Sequence, residues 1–164
     1  MFVTKMFDDR SKTNYQVHQD VRIIFPENQR VLFQRLNGIL TVVSQYKPNT
    51  PIKTEEVTSL TEDQYLFSLL IVPAVRKNGV TKPVQNQKQW TLDKLAKTGI
   101  DIVPETVSIT PKQHICYKKG NSFSLSTVLV TGVLNVMDKD KMLQTCQSGV
   151  GRVRFDGFGL LNIF

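Results

Sequence analysis

A chain of 164 residues, 40% hydrophobic and 21% charged, has enough apolar mass for a buried core and too much for wholesale disorder. Its longest nearly apolar run, 65–75, is broken by Ser68 and Pro73 and is shorter than the roughly 20 residues a membrane helix needs; Lys5, Asp8, Asp9 and Arg10 occupy the place of a secretory signal's apolar stretch, so a cytoplasmic protein is expected. The net charge of +7 is one-sided: residues 1–75 carry eight Lys or Arg and eight Asp or Glu, whereas 76–164 carry thirteen against six, which favours a polyanionic partner such as nucleic acid.

Phe2, Val3, Met6 and Phe7 around Thr4 and Lys5 predict an opening strand over 1–7. Thr13 with Gln16 three residues on reads as a capping box, after which Val17, Val21 and Ile24 share one helical face until Pro26 stops the helix. The β-rich runs 31–36 and 39–45 flank Asn37-Gly38, a strong hairpin signal. Residues 47–64 are polar with two prolines and read as a surface connection, and a buried strand through Leu66 and Ile71 follows.

Beyond it Arg76, Lys77 and Lys82 flank Asn78-Gly79 in a basic turn, and residues 84–98 predict a second helix with Trp90, Leu92 and Leu95 in the core. Strands are expected at 100–110, 114–118 and 122–136, the last long enough for Gly132 to mark a bend or bulge. Asp138 caps a third helix closed by Ser148-Gly149, and a strand at 160–164 ends the chain. The order predicts an α+β fold of two tandem ferredoxin-like (RRM-like) βαββαβ domains with antiparallel sheets, 1–75 and 76–164, the second in reduced form.

Cys116 and Cys146 are too few for a disulfide framework and lack zinc-site spacing, and no ligand cluster surrounds His18 or His114, so neither a metal nor a small-molecule cofactor is expected. At 100° per residue Tyr15, His18 and Arg22 share a face beside the buried one, setting an imidazole next to a phenol and a guanidinium. An imidazole, with an unperturbed pKa of about 6.5, can give or take a proton near neutrality, although the same pattern also fits a half-buried helix histidine. Gly149, Gly151, Gly157 and Gly159, with Arg152 and Arg154 between them, could cradle phosphate oxygens on exposed backbone N–H groups or could simply turn the chain. Arg76, Lys77, Lys82, Lys112, Lys118 and Lys119 are further candidates for phosphate contact, whereas His114, in a predicted strand beside Lys112, is at most a contact residue.

Taken in order, YQVHQ (15–19) followed by Phe25-Pro26, FSLLIVP (67–73), Gln89-Trp90 with Lys94 and Gly99, and GVGRVRFDGFGLL (149–161) resemble the CasE-type CRISPR RNA-processing endoribonucleases. The last run matches the G-x-G-x5-G-x-G pattern of the repeat-associated RNA-binding superfamily. The resemblance implies a metal-independent endoribonuclease that cuts CRISPR repeat RNA beside a stem-loop hairpin, by 2′-OH attack, and stays as a subunit among the other proteins of the Cascade surveillance complex. It implies His18 as general acid or base, Tyr15 as its companion, and 149–159 as an RNA-binding loop. A repeat-RNA-holding subunit without cleavage, and a basic interaction protein, remain as alternatives.

Overall fold

The computed structural model describes residues 1–26, 29–78, 80–98, 100–118, 121–151, 154 and 157–164. Strand β1 (Phe2–Phe7) leads into helix α1 (Asn14–Ile24). Thr13 caps that helix reciprocally: its Oγ1 accepts the Gln16 N–H at 3.2 Å, and the Gln16 side chain accepts the Thr13 N–H at 2.8 Å. Strands β2 (Val31–Leu36) and β3 (Ile39–Ser44) meet at Asn37-Gly38, whose φ values of 53° and 80° are both positive, as the two-residue turn matching sheet twist requires.

The connection expected over 47–64 contains a strand, β4 (Thr54–Glu56), paired antiparallel to β1 through Phe2↔Glu56 and Thr4↔Thr54. Three polar residues carry no apolar alternation; the open edge of β1, the Thr4–Thr54 hydroxyl bond of 2.9 Å and the reciprocal Met1–Val57 backbone bonds of 3.0 and 2.8 Å hold the pairing. The first sheet runs β2-β3-β1-β4. That is the ferredoxin-like strand order with a single helix, because the segment between β3 and β4 carries Pro48 and Pro51 and does not coil.

The second sheet is centred on β5 (Gln64–Ile71) and the 16-residue β10 (Asn121–Val136), in the order β11-β5-β10-β8, with β8 at Ile100–Ile102 and β11 at Leu161–Ile163. Strand β9 (Ser108–Lys118) also pairs with β10. A separate hairpin, β6 (Ala74–Lys77) and β7 (Val80–Pro83), precedes helix α2 (Gln87–Ala96), and helix α3 (Lys139–Ser148) precedes β11. The second unit is therefore a complete βαββαβ set and the first lacks a helix, the reverse of the expected reduction. Strand β5 pairs with β10 and β11, so the expected division after residue 75 cuts through the second sheet.

Two further expectations change. The strand expected over 100–110 is split by a 3-10 turn at Pro104–Thr106, whose Thr106 Oγ1 accepts the Val133 N–H at 2.9 Å and keeps the ladder satisfied. The bend or bulge expected at Gly132 takes another form: register with β5 is continuous from Val128↔Ile71 to Asn135↔Gln64, while on the other edge pairing passes from β9 (Thr131↔Ser108) to β8 (Leu134↔Ile102), so the irregularity lies in the partner strand. Gly132 instead admits close packing: a Cβ there would lie 3.2 Å from both Phe67 Cε1 and Thr106 Oγ1.

Asp138 caps α3 as expected, accepting the Lys141 N–H at 3.0 Å. The larger core joins Phe67, Leu69, Ile71, Val128, Val130 and Leu134 to Leu95 of α2 and to Met142 and Cys146 of α3. Burial pushes the Cys146 thiol up to about 12, in keeping with a core residue. A smaller core packs α1 on the first sheet through Val17, Val21, Phe25, Phe33, Leu40 and Val42. Between the units, Leu32, Val43 and Leu160 form a further buried cluster, and Ser68 Oγ donates to Gln34 Oε1 at 3.3 Å.

Candidate active site

The orientation of α1 is set by a residue that no motif marks. Arg35 on β2 donates from Nε to Asp8 Oδ1 at 2.7 Å, from Nη1 to Lys12 O at 2.6 Å and Asn14 Oδ1 at 3.1 Å, and from Nη2 to Asp9 O at 2.9 Å. One planar guanidinium thus holds the whole approach to the helix. With its side chain only 6% exposed, Asp8 has little water to replace Arg35, whose own side chain is 16% exposed. Arg35→Leu is therefore expected to destabilise the protein by about 3–5 kcal/mol in urea denaturation, since it strands Asp8. A loss below about 1 kcal/mol would show that the cluster does not hold the helix.

With that anchor in place, α1 buries Val17 and Val21, half-buries His18 and leaves Tyr15 51% exposed. The His18 ring centroid lies 6.2 Å from that of Phe33, at 47° between planes. Arg22, in the last turn, is exposed and lines a cavity of about 530 Å³ with Gln19, Ile23 and Asn49, so it stands a turn beyond His18 and favourably near the negative end of the helix.

Phe33 also touches the glycine-rich loop. A Cβ on Gly157, whose φ is +88°, would lie 2.7 Å from Phe33 Cε2. The loop is stitched into the fold at both flanks: Val150 N–H donates to Gly159 O at 2.7 Å, and Gly159 N–H donates to Leu70 O at 2.7 Å. Gly149 forms the C-cap of α3 and Gly151 packs near Ile71. Arg154, expected at phosphate, donates from Nη1 to Ser148 O at 2.8 Å and Gly149 O at 3.3 Å, and Arg30 also reaches Ser148 O at 2.8 Å. Burial, and then the neighbouring Arg30 charge, lower the pKa of Arg154. In this structure Arg154 satisfies carbonyls at the end of α3.

The opposite flank of the loop meets the other histidine. His114 on β9 sits edge-on to Phe158, with centroids 5.3 Å apart and planes at 79°. Alternation along β9 puts Lys112 and Cys116 on the same face, and β9 packs against α1. His18 and His114, remote in sequence, therefore meet through Phe33 and Phe158 at consecutive residues of one loop. His114 and Arg35 were the residues that sequence reasoning undervalued.

Of the remaining basic residues, Lys82 on β7 and Lys112 on β9 are exposed. The backbone sets Arg76, Lys77 and Lys82 on the β6–β7 hairpin and Lys112 and Lys118 on β9. Lys119 and Arg152 lie outside the described residues, as do the side chains of Arg76, Lys77 and Lys118. Trp90, on α2, packs against the larger core, as expected. Among the described residues no group of three or more His, Cys, Asp or Glu is gathered in the manner of a metal site, and no helix is long and apolar enough to cross a membrane.

A family model described as CRISPR associated protein matches residues 4–164. The chain belongs to this CRISPR-associated family. No curated protein matches the chain significantly. Among solved structures it is similar to the CRISPR endoribonuclease Cse3 bound to a 19-nucleotide RNA, with a TM-score of 0.87 and 18% identity over 100% of each chain. It is similar also to the CRISPR-associated protein Cas6e from Escherichia coli K-12, with a TM-score of 0.74 and 21% identity over 99% of this chain and 98% of that one. A chain of a CRISPR RNA-guided surveillance complex gives a TM-score of 0.75 at 15% identity, covering 99% and 98%. The CRISPR-associated chain shares their fold across its whole length, in agreement with the tandem ferredoxin-like architecture read from the strand order.

Proposed function

We propose that this CRISPR-associated protein is a metal-independent endoribonuclease that cuts precursor RNA within the repeat, beside a stem-loop, and remains on the product as a subunit of a cytoplasmic surveillance complex. The observation that carries this reading is the meeting of the His18 helix with the glycine-rich loop through Phe33, which brings His18 to the loop although Gly149, Gly157 and Gly159 are themselves buried and the Val150 and Gly159 N–H groups bond within the fold. The RNA-bound endoribonuclease and the surveillance-complex chain to which this protein is similar support the substrate class and the assembly. We place the boundary between its two units in 57–63, where the pairing passes from one sheet to the other.

RNA supplies its own nucleophile. Attack of a ribose 2′-OH on the adjacent phosphorus needs a proton acceptor at that hydroxyl, a donor at the departing 5′-oxygen and positive charge near the phosphorane. His18 fills one proton-transfer role, Tyr15 orients it or the substrate with its hydroxyl, and Lys112 offsets charge from β9. The basic β6–β7 hairpin and β9 hold the stem by its backbone, because an A-form groove hides base edges from side chains.

The test is incubation of end-labelled repeat hairpin RNA with the protein in EDTA. The expected product ends in a 2′,3′-cyclic phosphate, and a 2′-deoxy nucleotide at the cut position abolishes it. Engagement of about five phosphates should give a log–log slope of affinity on salt of about −3.5 to −4.5. Tight binding without any cut would overturn the enzyme and leave the RNA-holding subunit; a slope near zero would overturn the polyanion contact.

A further inference from the structure

Among the described residues two buried side-chain nitrogens find no hydrogen-bond partner, Gln34 Nε2 between the two units and His114 Nε2 beside the loop. Such an atom ordinarily costs about 1–3 kcal/mol, and a folded protein tolerates few of them. The His114 ring as a whole is half-buried, with Nε2 on its buried side. Its edge-on contact with Phe158 places it at the loop, on the face of β9 that it shares with exposed Lys112.

The surroundings narrow what could complete that atom. Burial first, then the charges of Lys112 and Arg35, lower the pKa of the ring, so near pH 7 it is neutral with a single N–H to offer. Arg35 makes four hydrogen bonds, to Asp8, Asp9, Lys12 and Asn14, so it acts on His114 chiefly through its field. A donor in a positive field suits an anionic oxygen better than a base edge.

We propose that His114 is a substrate-contact residue in its Nε2–H tautomer: on RNA binding the ring turns outward from Phe158, and Nε2–H donates to a non-bridging oxygen of an RNA phosphate beside Lys112. This rests on the nuclease reading above, and it gives the second imidazole a binding role distinct from the proton transfer assigned to His18.

The test compares wild type, His114→Leu, His114→Gln and His18→Ala on repeat hairpin RNA. Affinity is measured with a 2′-deoxy uncleavable hairpin, the single-turnover rate with the all-ribose hairpin, and the melting temperature without RNA. Leucine removes the unpaired donor, so the free protein should melt no lower than wild type while affinity falls about tenfold. Glutamine, whose amide nitrogen reaches the place of Nε2, should restore affinity to within about threefold. His18→Ala should bind normally and fail to cut. Wild-type affinity in His114→Leu, or a loss that only tracks a lower melting temperature and is not restored by glutamine, would overturn the proposal and leave the nuclease reading intact. Wild type that binds but never cuts would overturn the nuclease reading, and the His114 comparison is then still decided by affinity. Wild type that binds no hairpin overturns both.

Discussion

His18→Ala should lower the single-turnover cleavage rate by about 10²- to 10⁴-fold while leaving RNA affinity near that of wild type. On the proposed mechanism the imidazole transfers the proton; it is half-buried, with its ring against Phe33 and within a helical turn of the exposed Tyr15 phenol. Among its contacts is the tilted ring contact with Phe33, worth about 0.5–1.5 kcal/mol, while the fold is anchored elsewhere by Arg35, Val17 and Val21. Lost activity with a preserved melting temperature is therefore the signature of chemistry, and a parallel loss of both would point to a structural histidine. Tyr15→Phe keeps the ring and removes the hydroxyl, so it should reduce the rate by a smaller factor, about tenfold. A His18→Ala protein cutting at the wild-type rate would move the proton transfer to another group.

Gly159→Ala should cost about 3–5 kcal/mol and abolish RNA binding together with cleavage. At φ +79° an L side chain is strained by about 1–2 kcal/mol before any neighbour is considered. The added Cβ would then overlap the Val150 carbonyl oxygen and lie 3.0 Å from Arg154 Cγ. Relieving the overlap moves the backbone that carries Val150 N–H to Gly159 O and Gly159 N–H to Leu70 O, bonds worth about 1 kcal/mol each. The loop would leave β5 and withdraw Phe158 from His114. Urea denaturation measures the first effect and filter binding of the hairpin the second. Gly132→Ala is the internal comparison: it meets Phe67 and Thr106 at 3.2 Å without positive φ, so a loss of about 1 kcal/mol with RNA binding retained is expected. Equal effects at the two positions would mean that the loop geometry carries no special weight.

Much of the chain announces itself locally. The capping box at Thr13 and Gln16, the positive-φ pair at Asn37-Gly38 and the Asp138 cap of α3 each work through neighbours within a few residues, so residue type alone predicts them. Strand β4 and the break at Pro104–Thr106 do not, because a three-residue polar strand exists only as the partner of an edge, and an interruption is tolerated only where Thr106 can satisfy Val133 from the side. Likewise β5 reads as a buried strand from its apolar run, yet which sheet it joins depends on β10, far along the chain.

The same distinction runs through the site. Residue order and spacing alone sufficed for a two-part α+β chain, the helix face bearing Tyr15, His18 and Arg22, the glycine pattern, and a basic second half, since periodicity, turn chemistry and charge act over short stretches. Folding alone brought Arg35 onto the Asp8–Asn14 approach, set Phe33 between His18 and Gly157, turned Arg154 inward to the end of α3, and delivered His114 to the neighbouring residue of the loop. Apart from Arg154, which reaches back only six residues to Ser148, those contacts join segments distant along the chain, and their geometry is decided by which sheet edges pair and which side chains the cores exclude from water, quantities that no local window of residues contains.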